Sequence, residues 1–352
     1  MKLGTVKQRI DSSFVSLGVT ASTQFLIVAL PDGTILEVAS GTNWSFRYLG
    51  TSVIWSTLPS AYGGSIAGAI LGRNGNLYVM SHEKTSGGYY RISTLYRVNI
   101  STKTWTALQT WTGSSSSNTE RIYHSYHGDS EYAAIVVDYN GGGNSRLYSF
   151  NMNTEAIALL RDYQTSDGQS CVPFSAYVYE GTVDEDGYVY LTTWPDTGTL
   201  YYRRVTLSSY ASTLIDNNAS GYDYRALPGG YHVRSDTPQR IYNQARSTFW
   251  NVGIDVYGAT RISTGGASDG TWIINTASGI YSAILDTAGS ITKTQLIAAT
   301  GDYYGGWISY RGTYLSGQRY DPSNPSDFFV FMRNSSYNQV VGRAAFGRGE
   351  TL

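Results

Sequence analysis

Short apolar runs, each entered through a tight turn, recur along the chain. Asp32-Gly33 precedes Thr34-Ile35-Leu36-Glu37-Val38, and Asn74-Gly75 precedes Asn76-Leu77-Tyr78-Val79-Met80. Asp129-Ser130 precedes Glu131-Tyr132-Ala133-Ala134-Ile135, and Asp186-Gly187 precedes Tyr188-Val189-Tyr190-Leu191. Gly229-Gly230, Asp269-Gly270 and Arg311-Gly312 lead in the same way into Tyr231-His232-Val233, Thr271-Trp272-Ile273-Ile274 and Thr313-Tyr314-Leu315. The second turn residues fall at 33, 75, 130, 187, 230, 270 and 312, so the steps are 42, 55, 57, 43, 40 and 42 residues. Runs this short, rich in β-branched and aromatic residues, read as strands rather than helices. A hairpin turn recurring every ~45 residues predicts a radial array of small sheets.

The expected fold is therefore all-β: a seven-bladed β-propeller of four-stranded antiparallel blades. In the first unit Phe25–Ala29 precedes the turn, Thr34–Val38 follows it, and Phe46–Leu49 and Val53–Leu58 complete the set. The later units run Ile66–Trp111, Ile122–Tyr163, Phe174–Asn217, Tyr222–Asp255, Val256–Thr300 and Tyr303–Phe346. The strand before the turn is rich in small residues, as in Ile66-Ala67-Gly68-Ala69-Ile70 and Val256-Tyr257-Gly258-Ala259-Thr260. Small side chains suit strands that crowd together near a central axis. Residues 22–352 are expected to form this single domain. Residues 1–21 fall outside the pattern and are expected to close the ring or contact a neighbour, since closure removes exposed sheet edges.

Composition narrows the function classes. The chain has 352 residues, 41% of them hydrophobic and 14% charged, against roughly 25% charged in typical soluble domains. Tyr is abundant at 31, and Gly counts 39. The net charge of −1 provides no basic footprint for a nucleic-acid partner. No apolar run approaches the ~18 residues a membrane-inserted helix needs. Cys171 is the single cysteine, which excludes a disulfide framework or a thiolate metal cluster. No cofactor motif is visible. The Tyr/Ser/Thr/Gly-rich, weakly charged composition fits an externally exposed protein, yet Met1–Val6 lacks the apolar stretch of a signal peptide. A phage virion protein, made in the host cytoplasm and then displayed on the particle surface, reconciles the two. The alternatives are a secreted protein whose leader is not present in this chain, and a cytosolic protein.

Several segments carry a more specific likeness. Val183-Asp184-Glu185-Asp186-Gly187-Tyr188-Val189-Tyr190-Leu191 is a strand-turn-strand unit. Arg319-Tyr320-Asp321-Pro322-Ser323-Asn324-Pro325-Ser326-Asp327-Phe328-Phe329-Val330 places a Pro-bearing loop before a strand. Ser268-Asp269-Gly270-Thr271-Trp272 has the residue types of an Asp box at a compressed spacing. Together these resemble the seven-bladed β-propellers with sialidase-type repeats, the BNR or Asp-box group. That resemblance implies a fold shared by sialidases, polysaccharide lyases and carbohydrate-binding propellers. The Arg-Ile-Pro start of a sialidase is absent, because Arg9-Ile10 is followed by Asp11.

In such a ring the turns above lie on one face. The loops between second and third strands, and those joining blades, lie on the other, the loop face. These loops are expected at Ser81–Thr94, Tyr139–Ser145, Trp194–Thr199, Ser235–Gln239 and Gly317–Asp327, with Thr112–Arg121 and Gln164–Pro173 between blades. Loops on a rigid scaffold commonly hold binding residues. Tyr89, Tyr90, Trp194 and Tyr320 offer flat rings to sugars, while Arg91, Arg121, Arg234 and Arg319 offer guanidinium groups to carboxylates. Acidic glycans follow as a ligand class. A lyase would use His82 or His124 as base, Tyr90 as acid and Arg91 to neutralise a uronate; the competing reading of each His is a hydrogen-bonded structural residue. His124 and His127 are three apart, which puts them on opposite faces of a strand and argues against a metal pair. The expected function is a non-enzymatic recognition or assembly module, a phage structural or tail-associated protein. Its partners would be a surface glycan or other virion proteins, with oligomers formed through assembly. A polysaccharide lyase or glycosidase is the alternative.

Overall fold

The computed structural model describes residues 13–19, 27–30, 32, 34–72, 74–113, 121–126, 130–139, 144–163, 183, 187–193, 201–216, 224–226, 231–234, 240–243, 247–253, 256–261, 268–276, 278–298, 303–304, 327–334 and 339–345. Among them every regular element is a strand. β1 (Ser13–Val19) comes first, followed by a sheet of β2 (Ile27–Ala29), β3 (Ile35–Ala39), β4 (Ser45–Tyr48) and β5 (Ile54–Thr57). The second sheet holds β6 (Gly64–Leu71), β7 (Leu77–Lys84), β8 (Tyr90–Val98) and β9 (Trp105–Thr112). The third holds β10 (Arg121–Tyr126), β11 (Tyr132–Tyr139), β12 (Asn144–Asn151) and β13 (Ile157–Tyr163). The fourth shows β14 (Tyr188–Thr193), β15 (Tyr201–Thr206) and β16 (Ser212–Asp216).

The fifth sheet comprises β17 (Tyr224–Ala226), β18 (His232–Arg234), β19 (Arg240–Tyr242) and β20 (Phe249–Asn251). The sixth comprises β21 (Val256–Arg261), β22 (Ser268–Thr276), β23 (Gly279–Asp286) and β24 (Ile291–Ala298). The last contains β25 (Tyr303–Tyr304), β26 (Asp327–Asn334) and β27 (Gln339–Ala345), and β1 is its outer strand, antiparallel to β27. The described strands thus form seven antiparallel meanders. The segment Thr313–Leu315, expected as a strand of the last unit, lies outside the described residues.

The apolar runs are continuous where a sheet is buried on both faces, as the second and third sheets are. Along β7, Leu77 and Val79 pack with Val28, Leu36, Val38 and Phe46 of the first sheet. Tyr78 and Met80, one residue out of phase, pack with Ala133, Ile135 and Phe150 of the third. Along β11, Ala134 and Val136 turn instead toward Val189, Leu191 and Val205 of the fourth. Val233, Ile241 and Trp250 of the fifth sheet meet Trp272, Ile274 and Leu285 of the sixth. The period-2 alternation of a strand separates the two sets, and each buried large side chain contributes roughly 1.5–3 kcal/mol of transfer free energy.

The turns form as their chemistry requires. Asp32 Oδ1 accepts from Thr34 N at 2.9 Å, and Asn74 Oδ1 accepts from Asn76 N at 3.0 Å; both side chains mimic a backbone turn. Gly75 takes φ 79° there, a left-handed conformation costly for residues with a Cβ. One expected turn is corrected. Asp269-Gly270 lies inside β22, where the register to β23 shifts between Ser268 and Thr271. The one extra residue of β22 is absorbed as a bulge, so an Asp-Gly pair here bends a strand instead of ending it.

Candidate functional site on the β7–β8 hairpin

The second sheet places one coherent group of the expected residues at the loop-face end of β7 and β8. Ser81–Thr94, expected as a loop, is mostly strand: β7 runs to Lys84, β8 starts at Tyr90, and only residues 85–89 connect them. Cross-strand pairing continues because Ser81, Ser93 and Thr94 are buried and hydrogen-bonded or packed, which polar composition alone does not reveal. A register shift between Glu83 and Lys84 leaves Arg91 unopposed on β8.

Cations and rings alternate at this tip. The Arg91 guanidinium lies 5.1 Å from the Tyr89 ring centroid, and the Lys84 ammonium lies 5.0 Å from that of Tyr90. Both fall within the range of cation–π attraction. Tyr89 is 55% exposed. The carboxylate nearest in sequence, Glu83, is turned the other way: its Oε1 accepts from Ser81 Oγ at 2.7 Å and from Tyr96 OH at 2.8 Å. Among the described residues no carboxylate makes an ion pair with Lys84 or Arg91. His82 is half-buried, with Nδ1 3.0 Å from Ser93 Oγ. Burial first, and then the hydrogen bond and negative charge of Glu83, push the Tyr96 hydroxyl above its ordinary pKa of 10.0.

The connection into this sheet adds another ring. Tyr62 is 58% exposed. It precedes Gly63, whose carbonyl accepts from Lys84 N at 2.9 Å; the next residue, Thr85, donates from N to Tyr89 O at 2.9 Å. Asn43 is bound to the same connection through Nδ2 to Ser60 O at 2.8 Å. Lys84 and Tyr62 were not singled out from sequence. Lys84 would have required the hairpin register, and Tyr62 the hydrogen bond by which Gly63 continues the β6–β7 pairing.

Of the other expected residues, Arg234 is on the fifth sheet and Arg121 and His124 are on the third. Arg234 ends β18 directly opposite Arg240. The Arg234 guanidinium lies 5.7 Å from the Tyr242 ring, and that of Arg240 lies 4.6 Å from Phe249. For Arg121 and His124 the backbone register is described, opposite Asp138 and Ile135. Trp194, Arg319, Tyr320 and His127 lie outside the described residues. Among the described residues no cluster of three His, Cys, Asp or Glu is placed for a metal ion, and no helix is long and apolar enough to cross a membrane.

Antiparallel meanders that pack face to face, as the first four described sheets do in succession and the fifth and sixth do with each other, define a β-propeller. The Dos1 propeller is similar at a TM-score of 0.51 and 9% identity, covering 92% of this chain and 80% of that one. The WD40 domain of SCAP from fission yeast scores 0.47 at 11% identity over 96% of this chain and 98% of that one. Virginiamycin B lyase from Staphylococcus aureus scores 0.48 at 10% identity over 96% and 100%. No protein-family model matches the chain, and no curated protein does. At such identities the likeness concerns the fold alone, and propellers host unrelated functions.

Proposed function

We propose that the chain is a non-enzymatic recognition or assembly module, a phage structural or tail-associated protein displayed on the virion, whose loop face binds a surface glycan or another virion protein. The observation that carries this reading is the β7–β8 tip, where an exposed ring and two cations free of ion pairs among the described residues stand together on a rigid hairpin. Exposed aromatic and Arg groups on rigid elements are the usual material of binding surfaces. The weakly charged, Tyr-rich composition supports display outside the cell. Immunogold labelling of purified particles with an antibody to this chain tests the assignment. Label at a defined position on the tail or capsid is expected; label absent from particles but present in infected-cell lysate overturns it.

A polysaccharide lyase is the second reading, because His82, Tyr90 and Arg91 share one hairpin. There His82 would take the proton α to a uronate carboxylate that Arg91 neutralises, the electron pair would form the C=C bond as the glycosidic C–O bond at the β carbon breaks, and Tyr90 would protonate the departing oxygen. Unsaturated-uronate absorbance that vanishes in His82→Ala, with the fold retained, would replace the binding module by this enzyme.

A further inference from the structure

We infer that the ligand of the β7–β8 tip is a saccharide bearing carboxylates, held by Lys84 and Arg91 and stacked on Tyr89. The inference rests on the recognition reading and specifies its ligand and site. Three observations converge. Two cations project from adjacent positions of one hairpin, and the neighbouring carboxylate of Glu83 is engaged by Ser81 and Tyr96. Neither cation is ion-paired among the described residues and the two outnumber the Glu83 carboxylate, so the tip keeps a net positive charge that an incoming anion can satisfy. Arg91 Nε is buried with no hydrogen-bond partner among the described residues. Its guanidinium lies over the Tyr89 ring, so its remaining donors are not committed to an internal acceptor among the described residues.

The exposed faces supply the second half of the recognition. Tyr89 and Tyr62 are each more than half exposed and are tied to the same strand end through Thr85 and Gly63. Flat apolar faces beside fixed cations suit a pyranose ring whose one side is C–H and whose substituent is a carboxylate. A nucleic-acid strand also combines anions with stacking faces, but the net charge of −1 supplies no extended basic track for a phosphate backbone. The observed cations form a local pair, the scale of one or two sugar units.

Titration calorimetry with a hexameric uronate oligosaccharide, its carboxyl-reduced counterpart and oligo-dT tests this. The uronate is expected to bind, and the reduced sugar to bind about tenfold or more weakly, the scale of one lost charge-assisted hydrogen bond. Arg91→Gln and Lys84→Gln should each weaken uronate binding and lower its salt dependence. Tyr89→Ala should weaken both sugars, and Tyr89→Phe neither. Melting temperatures of all variants establish that each is folded. Equal binding of the two sugars, no uronate binding, or indifference to both cation variants overturns the inference. Arg91-dependent binding of oligo-dT at least as tight as that of the uronate overturns it in favour of a nucleic acid. Loss of uronate binding leaves virion display standing, whereas cleavage of the uronate removes the non-enzymatic reading and leaves the site.

Discussion

The Tyr78 hydroxyl lies 3.1 Å from both Met152 O and Glu155 Oε1, while Asn74 Nδ2 donates to it at 2.7 Å. One oxygen therefore links the turn of the second sheet to the third, and burial is the largest influence raising its pKa above 10.0. Tyr96 is raised in the same direction, by burial first and by Glu83 second. A raised folded-state pKa means that the folded protein holds the proton more tightly than the unfolded chain does. The resulting stability is complete below about pH 10, the unfolded value, and is lost as pH rises toward the folded one. Urea midpoints are thus expected to fall above pH 10. Tyr96→Phe should flatten this alkaline decline while costing about 1–3 kcal/mol at neutral pH, because the Glu83 carboxylate loses a donor. An alkaline slope identical to that of the parent protein would contradict this assignment.

At the scale of elements, the outer strands hold neighbouring sheets together. Trp105, opening β9, donates from Nε1 to Ser56 Oγ of β5 at 2.7 Å. Its ring stacks on Phe46 with centroids 6.2 Å apart and meets Tyr96 edge-on at 5.4 Å. Lys103 extends the same contact, 5.8 Å from both the Tyr48 and Trp55 rings. The half-exposed Arg97–Glu155 pair, 2.8 Å long, contributes on the order of 1 kcal/mol or less, since solvent screens it. The Trp105 contact should dominate: Trp105→Ala is expected to cost about 3 kcal/mol in chemical denaturation, and Arg97→Ala far less. Equal losses would show that polar ties matter as much as the ring. Elements were also where sequence reading was least complete. The turns at Asp32 and Asn74 are written in residues that bond to their own backbone. The β7–β8 extension is not, because Ser81, Ser93 and Thr94 read as polar loop residues and are buried only in the folded protein.

For the molecule as a whole, the pairing of β1 with β27 joins the first and last described strands, with Ser13 opposite Ala345 and Val19 opposite Val340. Without β1 the backbone groups of β27 along that side would become an exposed edge, a template for pairing with other chains. A chain beginning at residue 20 is accordingly expected to melt at lower temperature and to form oligomers or aggregates, read by calorimetry and light scattering. A truncated chain that stays monomeric with unchanged melting would show that β1 is dispensable for closure.

The turns at Asp32 and Asn74 and the all-strand content were determined by the sequence itself, because they follow from local backbone preferences and from alternation over a few residues. The faces those strands present, and the residues that meet there, were decided only by tertiary structure. Asp269-Gly270 became a bulge because cross-strand pairing continued through it. Glu83 turned toward Ser81 and Tyr96 while Lys84 and Arg91 remained without ion pairs among the described residues. Such choices depend on register and burial between distant segments, and neither is encoded in the spacing of nearby residues.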